Sequence, residues 1–225
     1  MANITVYALP RCLLLLTGLS LFSVAVTRRN RRSETTMFGL LCLWSSLTAF
    51  DIVPNLFFKG DTGRIERIER AIHTLYVFAP WMGILFIHSV ARYRNRGVTV
   101  AGFALSAVIS LSTFSDYYIY GLRESPWGYI PRAGIMLQVF FAFALLTMMY
   151  GIFMLSRRNK SAVNENERVK LRLLVFSIVL FFQMTLGSLP VMHGIDFYPV
   201  GNFVFIPLIL MAWGIYRYEW IPGKS

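Results

Sequence analysis

Of the 225 residues in the chain, 56% are hydrophobic and 16% aromatic, and only 15% are charged, where soluble domains carry about 25%. That deficit excludes a soluble globular protein, and apolar blocks parted by short basic runs leave room for one all-α membrane domain over 1–225 and nothing else. The net charge of +11 invites a nucleic-acid partner, but most of it flanks apolar segments, where it orients them and meets membrane lipid instead.

Seven apolar segments are predicted as transmembrane helices, over 7–27, 37–58, 71–93, 98–118, 132–156, 169–192 and 197–217. The first is followed, not preceded, by its arginines (Arg28, Arg29, Arg31 and Arg32), unlike a cleavable signal, so it stays in the protein. Cys12 and Cys42 begin the first two spans, and antiparallel helices put them near opposite faces, too far apart for a disulfide. The stretch IERIER before the third span reads as an amphipathic extension of it. The fourth span is rich in Ser and Thr yet uncharged from Val98 to Ser115. Pro207 falls inside the seventh span and is expected to interrupt it. The aromatic and basic end Tyr216, Arg217, Tyr218, Trp220 suits a headgroup layer.

The connections set the orientation. Of the 22 basic residues, 15 lie in the alternate regions after spans one, three, five and seven. The other side holds seven: Arg11, Lys59, Arg64, Arg67, Arg70, Arg123 and Arg132. The positive-inside rule then puts the N-terminus outside and the C-terminus in the cytoplasm.

Polar side chains within spans are costly and point to function. Trp44, Thr48, Asp51 and Asn55 form one stripe on the second helix. His73, Tyr76, Pro80 and Gly83 share a face of the third, with His88 farther in. Asp116, Arg132, Gln138, Gln183, His193 and Asn202 follow. On the N-out topology nearly all of these fall at mid-membrane or in the outer half, which predicts a polar cavity open to the outside. Its ligand-binding residues are Asp51, Asn55, His73, Tyr76, Gln138, Gln183 and Asn202. The plain alternative is that each merely bonds between helices, at about 0.6 kcal/mol apiece, with Asp51 paired to Arg11.

Several chemistries drop out. No lysine is counted within a span, which removes a retinal Schiff base, and no HExxH or GxSxG motif occurs. His73 and His193, with Asp116 or Asp196, lack the local spacing of a metal site, so neither metal nor cofactor is expected.

The stretches LLCLWSSLTAF, AIHTLYVFAPWMGILFIHSVARY and above all FYPVGNFVFIPLILMAWGIYRYEW resemble the seven-helix N-terminal sensor region of bacterial histidine kinases and related signalling proteins. The resemblance spans nearly the whole chain. It implies an inner-membrane sensor that binds a small ligand from outside and signals through its last helix (Pro207, Tyr216, Arg217, Trp220). After Trp220 only IPGKS follows, so the expected output is a cytoplasmic signalling protein in trans, with a homodimer as the expected assembly and no catalytic activity in the chain itself. A small transporter and a structural assembly subunit are the competing classes.

The charge partition generates a direct test, in a chain whose Cys12 and Cys42 are replaced. A cysteine at Asn164 is expected to resist membrane-impermeant thiol reagents in intact cells, while one at Gly60 reacts. Labelling at position 164 from outside reverses the orientation.

Overall fold

A computed structural model describes residues 4–29, 32–58 and 60–219 of the chain. The first helix, α1 (Ile4–Thr27), is followed by α2 (Ser33–Thr48). A 3-10 turn (Ala49–Asp51) continues α2 into the short α3 (Ile52–Phe57). Next come α4 (Thr62–Tyr76) and α5 (Ala79–Ala91), one crossing in two pieces, and α6 (Arg96–Ser112). An antiparallel hairpin, β1 (Ile119–Ser125) with β2 (Gly128–Ala133), joins α6 to α7 (Ile135–Lys160). The chain closes with α8 (Glu165–Leu186), α9 (Leu189–Met192), a 3-10 turn (Val200–Phe203) and α10 (Phe205–Glu219).

Among the described residues, six helices are long and apolar enough to cross a membrane, and α6 is a shorter apolar one. Large apolar side chains such as Leu16, Leu111, Leu146, Phe153 and Trp213 point outward from the bundle. In water such a surface is an interaction patch; around a whole bundle of apolar helices it is the lipid face. The chain is therefore a membrane-embedded helical protein.

Three crossings break where a proline removes a backbone donor and its ring would strike the carbonyl four residues earlier. Pro54 lies four residues after Phe50, in the 3-10 turn after α2. Pro80 lies four after Tyr76, where α4 gives way to α5, and Pro190 four after Leu186, where α8 ends. At the break before Pro80 the Leu75 carbonyl accepts the Phe78 amide at 3.1 Å and also the Trp44 indole N–H at 2.9 Å. Pro207, expected to interrupt the seventh span, does not. The helix starts at Phe205, so Pro207 sits in its first turn, where the N–H has no intrahelical partner to lose.

The hairpin is the main departure from the helical expectation. Arg132, expected to open the fifth span, lies on β2, and α7 begins at Ile135. Gly121 and Gly128 adopt φ of 121° and 119°, backbone that glycine reaches without a Cβ penalty. At the opposite, basic end, the Lys170 ammonium meets the Glu34 carboxylate at 2.6 Å, both side chains buried. Lys170 belongs to the second turn of α8. The absence of lysine from the spans thus holds for their apolar parts only. There too Asn164 caps α8 by accepting from the Glu167 amide at 2.8 Å, and Arg158 pairs with Glu167 at 2.6 Å.

The apolar core fills the middle, with Leu14, Phe38, Leu41, Phe86, Leu171 and Leu174 almost fully buried. Contact between α1 and α2 depends on small residues. A methyl group added at Gly18 would collide with the Ser46 hydroxyl and lie 2.7 Å from the Cys42 carbonyl oxygen; one at Gly39 would lie 2.7 Å from the Ala25 methyl. The carbonyl is backbone and cannot step aside. Gly18→Val is therefore expected to lower stability by about 1–3 kcal/mol, read as a lower Tm of the purified protein. An unchanged Tm would mean that α1 does not seat on α2 at this point.

Candidate ligand-binding site

The side chains that the sequence places in the outer half gather at the hairpin end of the bundle, around one cavity. Its wall is made by α1, the end of α2, the α4–α5 break, β2, α7, α8 and the turn before α10. All three proline breaks border it, through Asp51, Tyr76 with Pro80, and Ser188. The space open to the centres of water-sized molecules is about 110 Å³. One water needs roughly 10–15 Å³ on that measure, so a cluster of waters or a small organic molecule fits.

One side of the wall is charged. Arg11 on α1 meets Asp51 at 2.7 Å, Nη2 to Oδ2, and donates from Nη1 to the Tyr76 hydroxyl at 3.0 Å. The stripe logic of the second helix therefore delivers Asp51 to the interior, and the Arg11 pairing holds. Beside them lie Glu69, 3% exposed, and His73, with Glu69 Oε2 and His73 Nε2 3.9 Å apart. The His73 Nδ1 reaches the Tyr118 hydroxyl at 3.2 Å, and the ring stacks on Tyr76 with centroids 5.1 Å apart. The other side is aromatic and aliphatic, with Trp44, Phe140, Phe141, Phe181 and Phe182 among its residues.

Glu69 is the member that the sequence reading missed, because IERIER was assigned to a loop-side extension. The extension is real: α4 starts at Thr62, capped by Asp61, whose Oδ1 accepts from the Arg64 amide at 2.9 Å. Ile65, Glu69 and His73 recur every four residues and are all buried, so the spacing already put Glu69 on the face of His73. Asp51 is accordingly not the only acidic group in the interior. Tyr118, in the segment leading into β1, is likewise fully buried.

The other expected ligand residues separate. Gln138 and Gln183 are exposed, on the lipid side of α7 and α8, while their neighbours Leu137 and Phe182 face the cavity. Both glutamines sit one position off the inward stripe, so composition alone misplaced them. Asn202 is completely buried, and its Nδ2 donates to the Tyr198 hydroxyl at 3.2 Å. It stands behind Gly201 and Val204, which line the cavity.

Asn55 holds the roof instead of the wall. Its Oδ1 accepts from the Tyr129 amide at 2.7 Å and its Nδ2 donates to the Tyr129 carbonyl at 3.2 Å, a side chain paired with β2 as a strand would pair. Arg70 donates to the Ile119 carbonyl at 2.8 Å and to Asp116 and Glu66 at 2.6 Å. Arg123 donates to Asp196 at 3.1 Å and also to the Gly194 carbonyl. Asp116 is exposed and serves this anchoring. Tyr129, Ile130 and Pro131 of β2 form part of the cavity wall.

His88 bridges helices: Nε2 meets the Tyr150 hydroxyl at 2.7 Å and Nδ1 the Thr99 hydroxyl at 3.3 Å. His193 is exposed, and among the described residues no three His, Cys, Asp or Glu side chains converge as a metal site. On α10 the Tyr216 hydroxyl donates to the Leu21 carbonyl at 3.3 Å, the ring stands edge-on to Phe38, and Arg28 lies over it. Arg217 lies over the Trp213 ring. Trp220 is outside the described residues.

Asn55→Leu removes both bonds to Tyr129 and leaves two backbone groups without partners. It is expected to cost about 1–3 kcal/mol and to speed hydrogen exchange at the Tyr129 amide; Asn55→Asp keeps the acceptor and falls between. Unchanged exchange in the Leu variant would mean that other contacts hold the hairpin.

No protein-family model, curated protein or solved structure matches the chain.

Proposed function

We propose that the chain is a seven-span sensory module of a bacterial inner membrane, N-terminus outside, that admits a small ligand to the cavity beneath the hairpin and signals through its last helix to a cytoplasmic partner. The observation that carries the reading is the cavity itself, walled by buried charges on one side and by aromatic rings on the other. In this arrangement α6 is the seventh crossing. Its 17 residues rise about 25 Å, and the turns from Thr113 to Tyr118 complete the span. The reading assigns no catalytic step to the chain.

The last helix suits a transmitter. Gly201 and Val204 touch the cavity just before and at its start, while Tyr216 near its other end contacts α1 and α2. A ligand that prefers one arrangement of the broken helices would shift the position of that end by its difference in affinity for the two arrangements. A transporter is disfavoured by Phe38, Leu41 and Cys42, which lie along α2 between the cavity and the Glu34–Lys170 pair and are buried in a continuous apolar core.

The test is thermal unfolding of the purified chain against a set of small organic molecules. At least one is expected to raise the Tm saturably, and Ser45→Phe, which fills the cavity and leaves Arg11 and Asp51 in place, is expected to abolish the shift. A shift that survives in Ser45→Phe would put the ligand elsewhere.

A further inference from the structure

Among the described residues, the cavity wall holds one guanidinium and two carboxylates. Arg11 is always protonated and stands against two carboxylates, Asp51 and Glu69, which are within electrostatic reach of each other and of Arg11. Arg11 bonds Oδ2 of Asp51; the Tyr76 hydroxyl and the Ile52 amide lie beside the same carboxylate, yet Oδ1 has no partner at good hydrogen-bond geometry among the described residues, and Asp51, 9% exposed, forms part of the cavity wall. Glu69, more deeply buried, lies 3.9 Å from His73, beyond hydrogen-bond distance. In a low-dielectric interior a second carboxylate can ionise beside one guanidinium only where another cation joins them. A bound cation would take that place and face the cavity-side oxygens.

The rest of the wall narrows the kind of cation. A bare metal ion asks for six or so oxygen ligands, and among the described residues two carboxylates line the space. An organic ammonium needs a few acceptors for its N–H groups and is held by aromatic rings, of which Trp44, Tyr76 and Tyr129 belong to the same wall. The phenylalanines of α7 and α8 then accommodate an apolar body.

We infer that the cavity beneath the hairpin recognises a small aryl-alkyl ammonium, with Asp51 and Glu69 as its anionic partners and the aromatic wall around its body. This deepens the proposed sensory function and rests on it. An anionic ligand is the opposite case: it would have to displace Asp51 from Arg11 and leave two carboxylates facing it.

The experiment is equilibrium binding of radiolabelled 2-phenylethylamine to the purified full chain, with 2-phenylethanol and 3-phenylpropionate as neutral and anionic counterparts of the same shape, each also labelled and tested alone. Saturable binding of the amine that neither counterpart displaces is expected. Asp51→Asn and Glu69→Gln are each expected to weaken it about tenfold or more. Glu69→Gln leaves the Arg11–Asp51 pair intact, so it reports even where Asp51→Asn lowers stability. Amine binding untouched by Glu69→Gln overturns the assignment of the carboxylates. Saturable binding of the alcohol or the acid in place of the amine overturns the cationic class while leaving a ligand cavity. Binding of none of the three overturns the ammonium site and counts against the sensory reading as well.

Discussion

The buried Arg11–Asp51 pair is the constraint around which the hairpin end is arranged. A guanidinium and a carboxylate in a membrane interior are tolerable only in contact, and each needs further polar neighbours to satisfy what the pair leaves over. Arg11 obtains the Tyr76 hydroxyl. That contact ties the N-terminal helix to the α4 end of the third crossing, just where the helix breaks. Glu69 and His73 follow on the same face of α4, and His73 reaches out to Tyr118 beside the hairpin. One ion pair thus links α1, α2, α4 and the segment leading into β1, and the cavity is the space these polar groups leave against the phenylalanines of α7 and α8.

The prolines explain why there is space at all. Straight helices of this apolar composition would pack flush, as they do in the middle of the bundle around Phe38 and Leu174. Pro54, Pro80 and Pro190 each end regular helix near the same cavity, which parts the backbones and opens carbonyls such as that of Leu75, bonded to Phe78, to a second donor. The hairpin then covers the opening through side chains that imitate backbone partners, Asn55 above all. Breaks of this kind are tolerated in a membrane where neighbouring groups bond the backbone at the break, as the Trp44 indole does here.

The crossings were legible because their signal is bulk hydropathy over some twenty residues, and the polar bias toward one end was legible because it follows from chain order. Asp51, His73 and Tyr76 could be placed together from helical spacing. Gln138 and Gln183 could not, because a polar residue one position off the stripe turns to lipid, and the direction of the stripe on α7 and α8 is set by packing. The hairpin escaped because its residues, IYGLRES and GYIPRA, read equally well as an interfacial loop; Arg70 and Asn55 from earlier segments, and Arg123 of β1 itself reaching Asp196, are what hold the pair against the bundle. Pro207 misled because its effect depends on where the helix begins, and no residue before Phe205 announces that start.

The central claim is that an electronegative cavity lies beneath the hairpin and is reached from that side. The most direct measurement is the rate at which Ser45→Cys, in a chain with Cys12 and Cys42 replaced, is modified in intact cells by a small cationic methanethiosulfonate and by its anionic counterpart. The account predicts that both reach the thiol from outside and that the cationic reagent reacts faster, with the difference removed when Asp51 and Glu69 are made amides. Protection from both reagents, or faster reaction with the anion, would contradict it.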